Sequence, residues 1–154
     1  MHQLQTFRID EDLRPGLVPL FTTYSFQAPD RMSYQISTGS ELVWIGTTRY
    51  LRDGPDQVWR VQETGFSLPV PRFSWDVWGS ARLLAPRLLG ASQVENIDTQ
   101  VLSFFMEVAQ APIWFRLWVD AEGLVRRAEM RAQGHFMDHR YYDLDESFTI
   151  ESPV

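Results

Sequence analysis

Polar and apolar residues alternate along many short stretches of this chain, and a period of two is typical of half-buried β-strands. In Thr22–Gln27 and Met32–Ser37, large apolar side chains recur at every second position. Comparable strand patterns occupy Leu4–Ile9, Glu41–Gly46, Thr48–Asp53, Gln57–Gln62, Arg82–Leu84, Ser92–Ile97, Val101–Val108, Ile113–Asp120 and Leu124–Gln133. The pattern therefore predicts about ten or eleven strands and little helix.

Turn-forming residues separate these stretches at short intervals. A polar segment with Pro and Gly follows the first strand at Glu11–Gly16, and further breaks fall at Ala28–Asp30, Thr38–Gly39 and Asp53–Pro55. Asp120–Gly123 (DAEG) predicts a hairpin turn in which Gly adopts a left-handed conformation. Short connections of this kind favour an antiparallel meander.

The middle segment, Gly65–Ala81, interrupts the strand rhythm. It contains Pro69 and Pro71, which interrupt regular structure. We therefore predict a loop here, with a helical turn near Ser74–Gly79. The chain has no internal repeat, low-complexity run or linker. Its 154 residues are therefore predicted to form one domain, 1–154, of mainly β (α+β) class with one antiparallel sheet.

Composition supports a sheet and excludes several functions. Aromatic residues make up 14% of the chain, including six Trp, which suits sheets and large apolar cavities. Cysteine is absent, so the chain has neither disulfides nor a thiolate zinc site. A net charge of −6 argues against DNA or RNA as a partner.

No stretch of the sequence is apolar over the roughly 18 residues that a membrane-spanning helix needs. The start, Met1–Thr6, has neither the charged nor the apolar region of a signal peptide. The sequence is thus compatible with a cytosolic protein or with a domain whose export signal lies upstream.

The stretch Met130–Tyr142 contains the most distinctive set of possible metal-binding side chains, including two of the three histidines. Read as a strand, it projects His135, Met137 and His139 to one side. Imidazole and thioether groups in such a row favour copper, above all Cu(I). The same row also fits a structural seam in which Met137 packs in the core and the histidines form hydrogen bonds at its edge.

A second candidate is a hydrophobic ligand site lined by aromatic side chains. Trp114 and Trp118 share a strand face with Arg116, while Phe115 and Leu117 face the other way, so both faces of this strand are apolar. Such a strand is covered on both sides by core or by ligand. The candidate ligand-binding residues are Trp44, Trp59, Phe104, Met106, Trp114 and Trp118.

Catalytic patterns are absent from the sequence. No Ser lies in a nucleophile-elbow motif, and there is no Gly-rich phosphate loop. The acidic residues Asp143, Asp145 and Glu146 lack the spacing and glycine of a calcium loop. We therefore expect a protein that is not an enzyme and that has no catalytic cofactor.

Four short motifs, in order along the chain, resemble a known family. They are Tyr24–Tyr34 (YSFQAPDRMSY), Ile45–Gly46 with Tyr50 and Trp59, Trp114–Val125 (WFRLWVDAEGLV), and Tyr142–Leu144 with Ile150–Pro153. Together they resemble the bacterial outer-membrane lipoprotein carriers and their mycobacterial lipoprotein cousins, the LolA and LppX/LprG type. Some similar sequences are outer domains of copper-resistance membrane proteins.

The resemblance implies a strongly curved half-barrel sheet whose concave face carries short helices and binds acyl chains or lipidated polypeptides outside the cytoplasm. It thus predicts an extracytoplasmic, membrane-proximal module, without a membrane span of its own, whose partner is a hydrophobic small molecule or acyl chain. A copper-binding or copper-sensing outer domain is the first alternative. A structural domain without a small-molecule ligand is the second.

Overall fold

The computed structural model describes residues 4–15, 18–67, 82–108 and 111–154. These residues form eleven β-strands. Their bounds are β1 Thr6–Arg14, β2 Leu20–Gln27, β3 Arg31–Ile36, β4 Glu41–Ile45, β5 Thr48–Arg52, β6 Arg60–Glu63, β7 Arg82–Val94, β8 Ile97–Val108, β9 Ala111–Val119, β10 Val125–Ala132 and β11 His135–Tyr142.

All eleven strands belong to one sheet, in the order β6-β5-β4-β3-β2-β1-β11-β10-β9-β8-β7. The pairings within β2–β6 and within β7–β11 are antiparallel. The prediction of a single antiparallel sheet is therefore confirmed. Sequence neighbours pair with one another because their connections are short.

The predicted short helices are not confirmed, since the described ranges of the chain contain no helix. The segment Ser74–Gly79, where a helical turn was predicted, lies outside those ranges. In the same ranges, no helix has the length and apolarity needed to cross a membrane.

One hairpin differs clearly from its prediction. The strand predicted at Arg82–Leu84 and the first three residues of the strand predicted at Ser92–Ile97 belong to one longer strand, β7, which ends at Val94, and Ile97 begins β8. Its register with β8 shifts between Leu84 and Arg87 and again next to Gly90, so bulges accommodate Pro86 and Gly90. The turn then falls at Glu95 and Asn96, whose φ angles of 50° and 69° match a two-residue type I′ turn.

The first strand is also longer than predicted. The pattern placed a loop from Glu11 onward, but β1 continues to Arg14. Polar residues are tolerated in this part of the strand because they form ion pairs, as between Arg14 Nη2 and Asp12 Oδ2 at 2.6 Å.

The fold divides into two compact units: Met1–Asp10 with Leu20–Phe73 and Tyr142–Val154, and Glu11–Pro19 with Ser74–Tyr141. In the first unit, Phe26, Met32 and Trp44 stand opposite one another on β2, β3 and β4. Phe7 stacks on Phe26 with ring centroids 4.7 Å apart, and both are buried. This cross-strand row is the core of that unit.

Candidate functional site

An apolar sheet face dominates the second unit. The register aligns Phe104, Phe115, Met130 and Met137 in one row across β8, β9, β10 and β11. Since residues directly opposite in a sheet point to the same side, these four side chains share a face. The rings of Phe104 and Phe115 stack with centroids 5.4 Å apart.

This face has a buried floor and a more accessible rim. Phe104, Met106 and Phe115 form a buried cluster, and only 2% of Met106 is exposed. Ile113, Leu117 and Met130 pack against that cluster and are partly exposed. An apolar molecule at this face would contact the rim first. We call this set of six residues the apolar face.

The opposite face of the same four strands is built from tryptophan and arginine. Trp118 is buried, and the Arg127 guanidinium carbon lies 4.6 Å from its ring centroid. Arg116 lies between the two indoles, at 4.9 Å from Trp114 and 5.7 Å from Trp118. These distances are those of cation–π contacts, so arginine covers the aromatic rings here.

Two carboxylates neutralise part of this arginine layer. Arg127 Nη2 lies 2.8 Å from Glu129 Oε1 and 3.2 Å from Asp138 Oδ1. Arg131 Nη2 lies 3.1 Å from Asp138 Oδ2. Bonds of this length between charged groups hold the arginines over the rings. This arginine layer was not predicted, although the sequence places Arg116 between Trp114 and Trp118 on one face of a strand.

The predicted ligand residues of this unit therefore divide between the two faces. Phe104 and Met106 lie on the apolar face, while Trp114 and Trp118 lie among the arginines on the other. A ligand on one face contacts one pair only. The two faces have different chemistry, since one is apolar and the other carries arginine beside its aromatic rings.

In the first unit, the two remaining predicted residues have different surroundings. Trp44 is buried, and its Nε1 donates to the carbonyl oxygen of Gly46 at 3.0 Å. Phe66 packs against it with ring centroids 5.6 Å apart. Trp59 lies between β5 and β6, under the Arg52 guanidinium at 4.6 Å. The Arg49 guanidinium carbon also lies 5.7 Å from the Trp44 ring centroid, so both tryptophans contact an arginine.

The predicted metal residues occupy β11. His135, Met137 and His139 stand opposite Ala132, Met130 and Ala128, so they share the apolar face's side of the sheet. Both ring nitrogens of His139 are already in contact: Nε2 lies 2.8 Å from Glu11 Oε2, and Nδ1 lies 3.0 Å from Tyr141 Oη. Copper could bind His139 only if one of these contacts broke.

No group of three or more His, Asp or Glu residues that could hold a metal occurs in the described part of the chain. The copper alternative therefore gains no support from the donor geometry. The contacts of His139 fit a structural role that ties β11 to Glu11 of β1. The pKa of Tyr141 is raised, mainly because the side chain is buried and secondly because of the negative charge of Glu11.

No protein-family model matches the sequence, and no curated protein matches it either. Solved structures do match. Lipoprotein LppX of Mycobacterium tuberculosis aligns with a TM-score of 0.63 and 8% identity, over 96% of this chain and 90% of LppX. LprF of Mycobacterium bovis aligns with a TM-score of 0.63 and 13% identity, over 97% of this chain and 90% of LprF.

A LolA superfamily protein of Nitrosomonas europaea aligns over 96% of this chain and 87% of its own, with 10% identity, but its TM-score is only 0.40. The two mycobacterial structures, each with a TM-score of 0.63, are therefore the ones that show the fold. At these identities the likeness concerns the fold alone. This chain has the fold of LppX and LprF, as the resemblance of its short motifs predicts.

Proposed function

We propose that this protein is an extracytoplasmic, non-enzymatic binding module for a hydrophobic ligand, an acyl chain in particular. The observation that carries the proposal is the apolar face of the second unit. Its buried Phe104, Met106 and Phe115 form a floor, and the partly exposed Ile113, Leu117 and Met130 surround it. The fold shared with the lipoprotein LppX supports it.

The chemistry of this face suits a flexible hydrocarbon. Met130 and Met137 stand opposite each other on neighbouring strands, and unbranched thioether side chains adapt to irregular apolar partners. The face offers aromatic and aliphatic surface, and hydrophobic contact with an acyl chain needs no directional bond. In the first unit, Trp44 contributes to a comparable apolar row with Phe26 and Met32.

The test compares substitutions on the two sides of the same strands. We expect the wild-type protein to bind a fluorescent fatty acid and to release it when unlabelled fatty acid is added. Met130→Gln and Leu117→Gln place an amide on the rim and should weaken binding by roughly tenfold, because the amide is desolvated beside the chain. The control is Phe136→Ser, because Phe136 stands opposite Arg131 on the other face of the sheet. This variant should bind the fatty acid as the wild type does.

Native mass spectrometry of gently purified protein provides a second measurement, in which co-purifying acyl species are expected. Absence of bound lipid together with no displacement of the fluorescent probe would refute acyl-chain binding. Equal losses in Met130→Gln and Phe136→Ser would refute the assignment to the apolar face. Thermal unfolding of each variant shows whether it is folded.

A further inference from the structure

The face opposite the apolar face also carries exposed aromatic side chains. Phe105, Trp114, Arg131 and Phe136 form one row across β8–β11. Phe105 is 41% exposed and Phe136 is 47% exposed, although both are large hydrophobic residues. These phenylalanines therefore present apolar surface on a face that the proposed acyl-chain site does not use.

Two arginines of this face lack a short contact with a carboxylate. Arg116 reaches Glu129 only at 3.8 Å, and its Nε is buried without a hydrogen-bond partner. Arg87 stands opposite Ser103, which in turn stands opposite Arg116, and Arg87 is exposed. Within the described ranges, the side chain of Arg87 forms no ion pair or hydrogen bond. Arg87 is thus the exposed arginine of this face whose guanidinium is unpaired within those ranges, whereas Arg116 packs against Trp114 and Trp118.

The local charge is positive although the whole chain carries −6. Arg127 and Arg131 share Glu129 and Asp138, and Arg140 pairs with Glu95 at 2.7 Å. Arg116 also reaches Glu129, so three arginines share two carboxylates, and Arg87 adds a further positive charge. Glu107, farther out on β8, stands opposite Arg82 in the register. An anionic surface would attract this local positive charge.

We propose that this face, defined by Arg87, Phe105, Trp114, Arg116 and Phe136 and called here the arginine-aromatic face, docks on the surface of an anionic phospholipid bilayer. Exposed aromatic side chains favour the membrane–water interface, where the ring is partly in the apolar layer. Arginine forms paired hydrogen bonds with phosphate oxygens. Exposed phenylalanines on the same face as exposed Arg87 match this surface.

The proposal assigns different tasks to the two sides of β8–β11. The apolar face takes the acyl chain, and the arginine-aromatic face holds the protein at the bilayer. Docking does not depend on acyl-chain binding. Each can therefore fail alone, and the same panel of variants separates them.

The experiment measures co-sedimentation with vesicles of phosphatidylcholine, with or without phosphatidylglycerol. We expect stronger binding to vesicles that contain phosphatidylglycerol and weaker binding as ionic strength rises. Arg87→Gln should lower the partition coefficient by roughly fivefold, the usual effect of one basic residue near an anionic surface. The control is Arg60→Gln, an exposed arginine of the first unit, which changes the net charge equally and should bind as the wild type does.

Phe105→Ser and Phe136→Ser test whether the exposed phenylalanines of the arginine-aromatic face contribute to vesicle binding. Their control is Phe21→Ser, because Phe21 is an exposed phenylalanine of the first unit. The first two should lower binding several-fold and the control should not. Brominated phospholipid should quench tryptophan fluorescence, and Trp114→Phe should reduce that quenching. Met130→Gln should bind vesicles normally.

Equal wild-type binding to both kinds of vesicle, or no binding to either, would overturn the proposal. It would also be overturned if Arg87→Gln and Arg60→Gln bound equally. Because Arg87 is exposed and forms no contact with a charged group in the described ranges, its replacement tests the proposal without unfolding the protein.

Discussion

Replacement of Asp120 is the sharpest test of how this fold is held together. Asp120 follows β9, and its side chain is 3% exposed. Its Oδ1 accepts from the backbone nitrogens of Glu122 and Leu124, at 3.0 Å and 2.8 Å. Its Oδ2 accepts from Arg126 Nε at 2.6 Å. One carboxylate thus closes the β9–β10 turn and neutralises a largely buried arginine.

Asp120→Ala removes all three acceptor contacts at once. Hydrogen bonds to a charged group contribute about 1.5–3 kcal/mol each, and breaking a buried ion pair costs about 3–5 kcal/mol. These terms overlap, so we expect the free energy of unfolding to fall by about 3–5 kcal/mol in total. Asp120→Asn keeps an oxygen for the two backbone donors but also loses the ion pair with Arg126, so its cost should lie at the lower end of this range, about 3 kcal/mol.

Glu122→Ala is the matched control, because Glu122 Oε2 lies 3.8 Å from Arg126 Nη2 but its side chain is 75% exposed. An exposed pair contributes about 0–1 kcal/mol. Urea unfolding followed by circular dichroism measures all three variants. For a domain of this size, the loss in Asp120→Ala corresponds to a Tm lowered by about 6–20 °C. A difference under about 1 kcal/mol between Asp120→Ala and Glu122→Ala would refute the assigned role of the turn.

Three further predictions address the core and the Glu11–His139–Tyr141 contacts. Met106→Ala should lower the free energy of unfolding by about 2–5 kcal/mol, since Met106 is almost fully buried; a loss below about 1 kcal/mol in urea unfolding would contradict this packing. His139→Ala should cost about 1–3 kcal/mol by removing the contact between the imidazole and partly buried Glu11, whereas a purely metal-binding histidine would cost little in metal-free buffer. Because burial raises the pKa of Tyr141, its stabilising effect is complete below the unfolded pKa of about 10 and is lost at higher pH. Tyr141→Phe should therefore show a shallower fall of stability above about pH 10 than the wild type, and an unchanged slope in urea titrations would contradict it.

Much of the local structure was predictable from residues that are close together in the sequence. The turn at Asp120–Gly123 was predicted, and it forms with Gly123 at a φ of 81°. The short hairpins β2–β3, β3–β4 and β4–β5 lie close to their predicted ranges. Alternation and turn residues act over a few neighbours, so a sequence shows them directly. The hairpin at Glu95–Asn96 was missed because its turn lacks glycine and because Pro86 and Gly90 interrupt β7.

Contacts between distant segments were not predictable in the same way. Glu11 and His139 are 128 positions apart, and only the neighbouring places of β1 and β11 in the sheet bring the carboxylate to the imidazole. This contact changes the interpretation of β11. A row of His, Met and His suggests a metal site until the partners of His139 are known.

The sequence by itself determined that this is a sheet protein, where most strands lie, and which residues share a side within each strand. Alternation placed Phe104 with Met106, and Trp114 with Trp118. Only the tertiary structure decided that these two pairs lie on opposite faces, because Phe105 stands opposite Trp114 in the register. A shift of one residue in the register exchanges the faces of a whole strand. Alternation shows which residues of one strand share a side. It does not show which residues of the neighbouring strand lie on that same side, because the register of the pairing determines this.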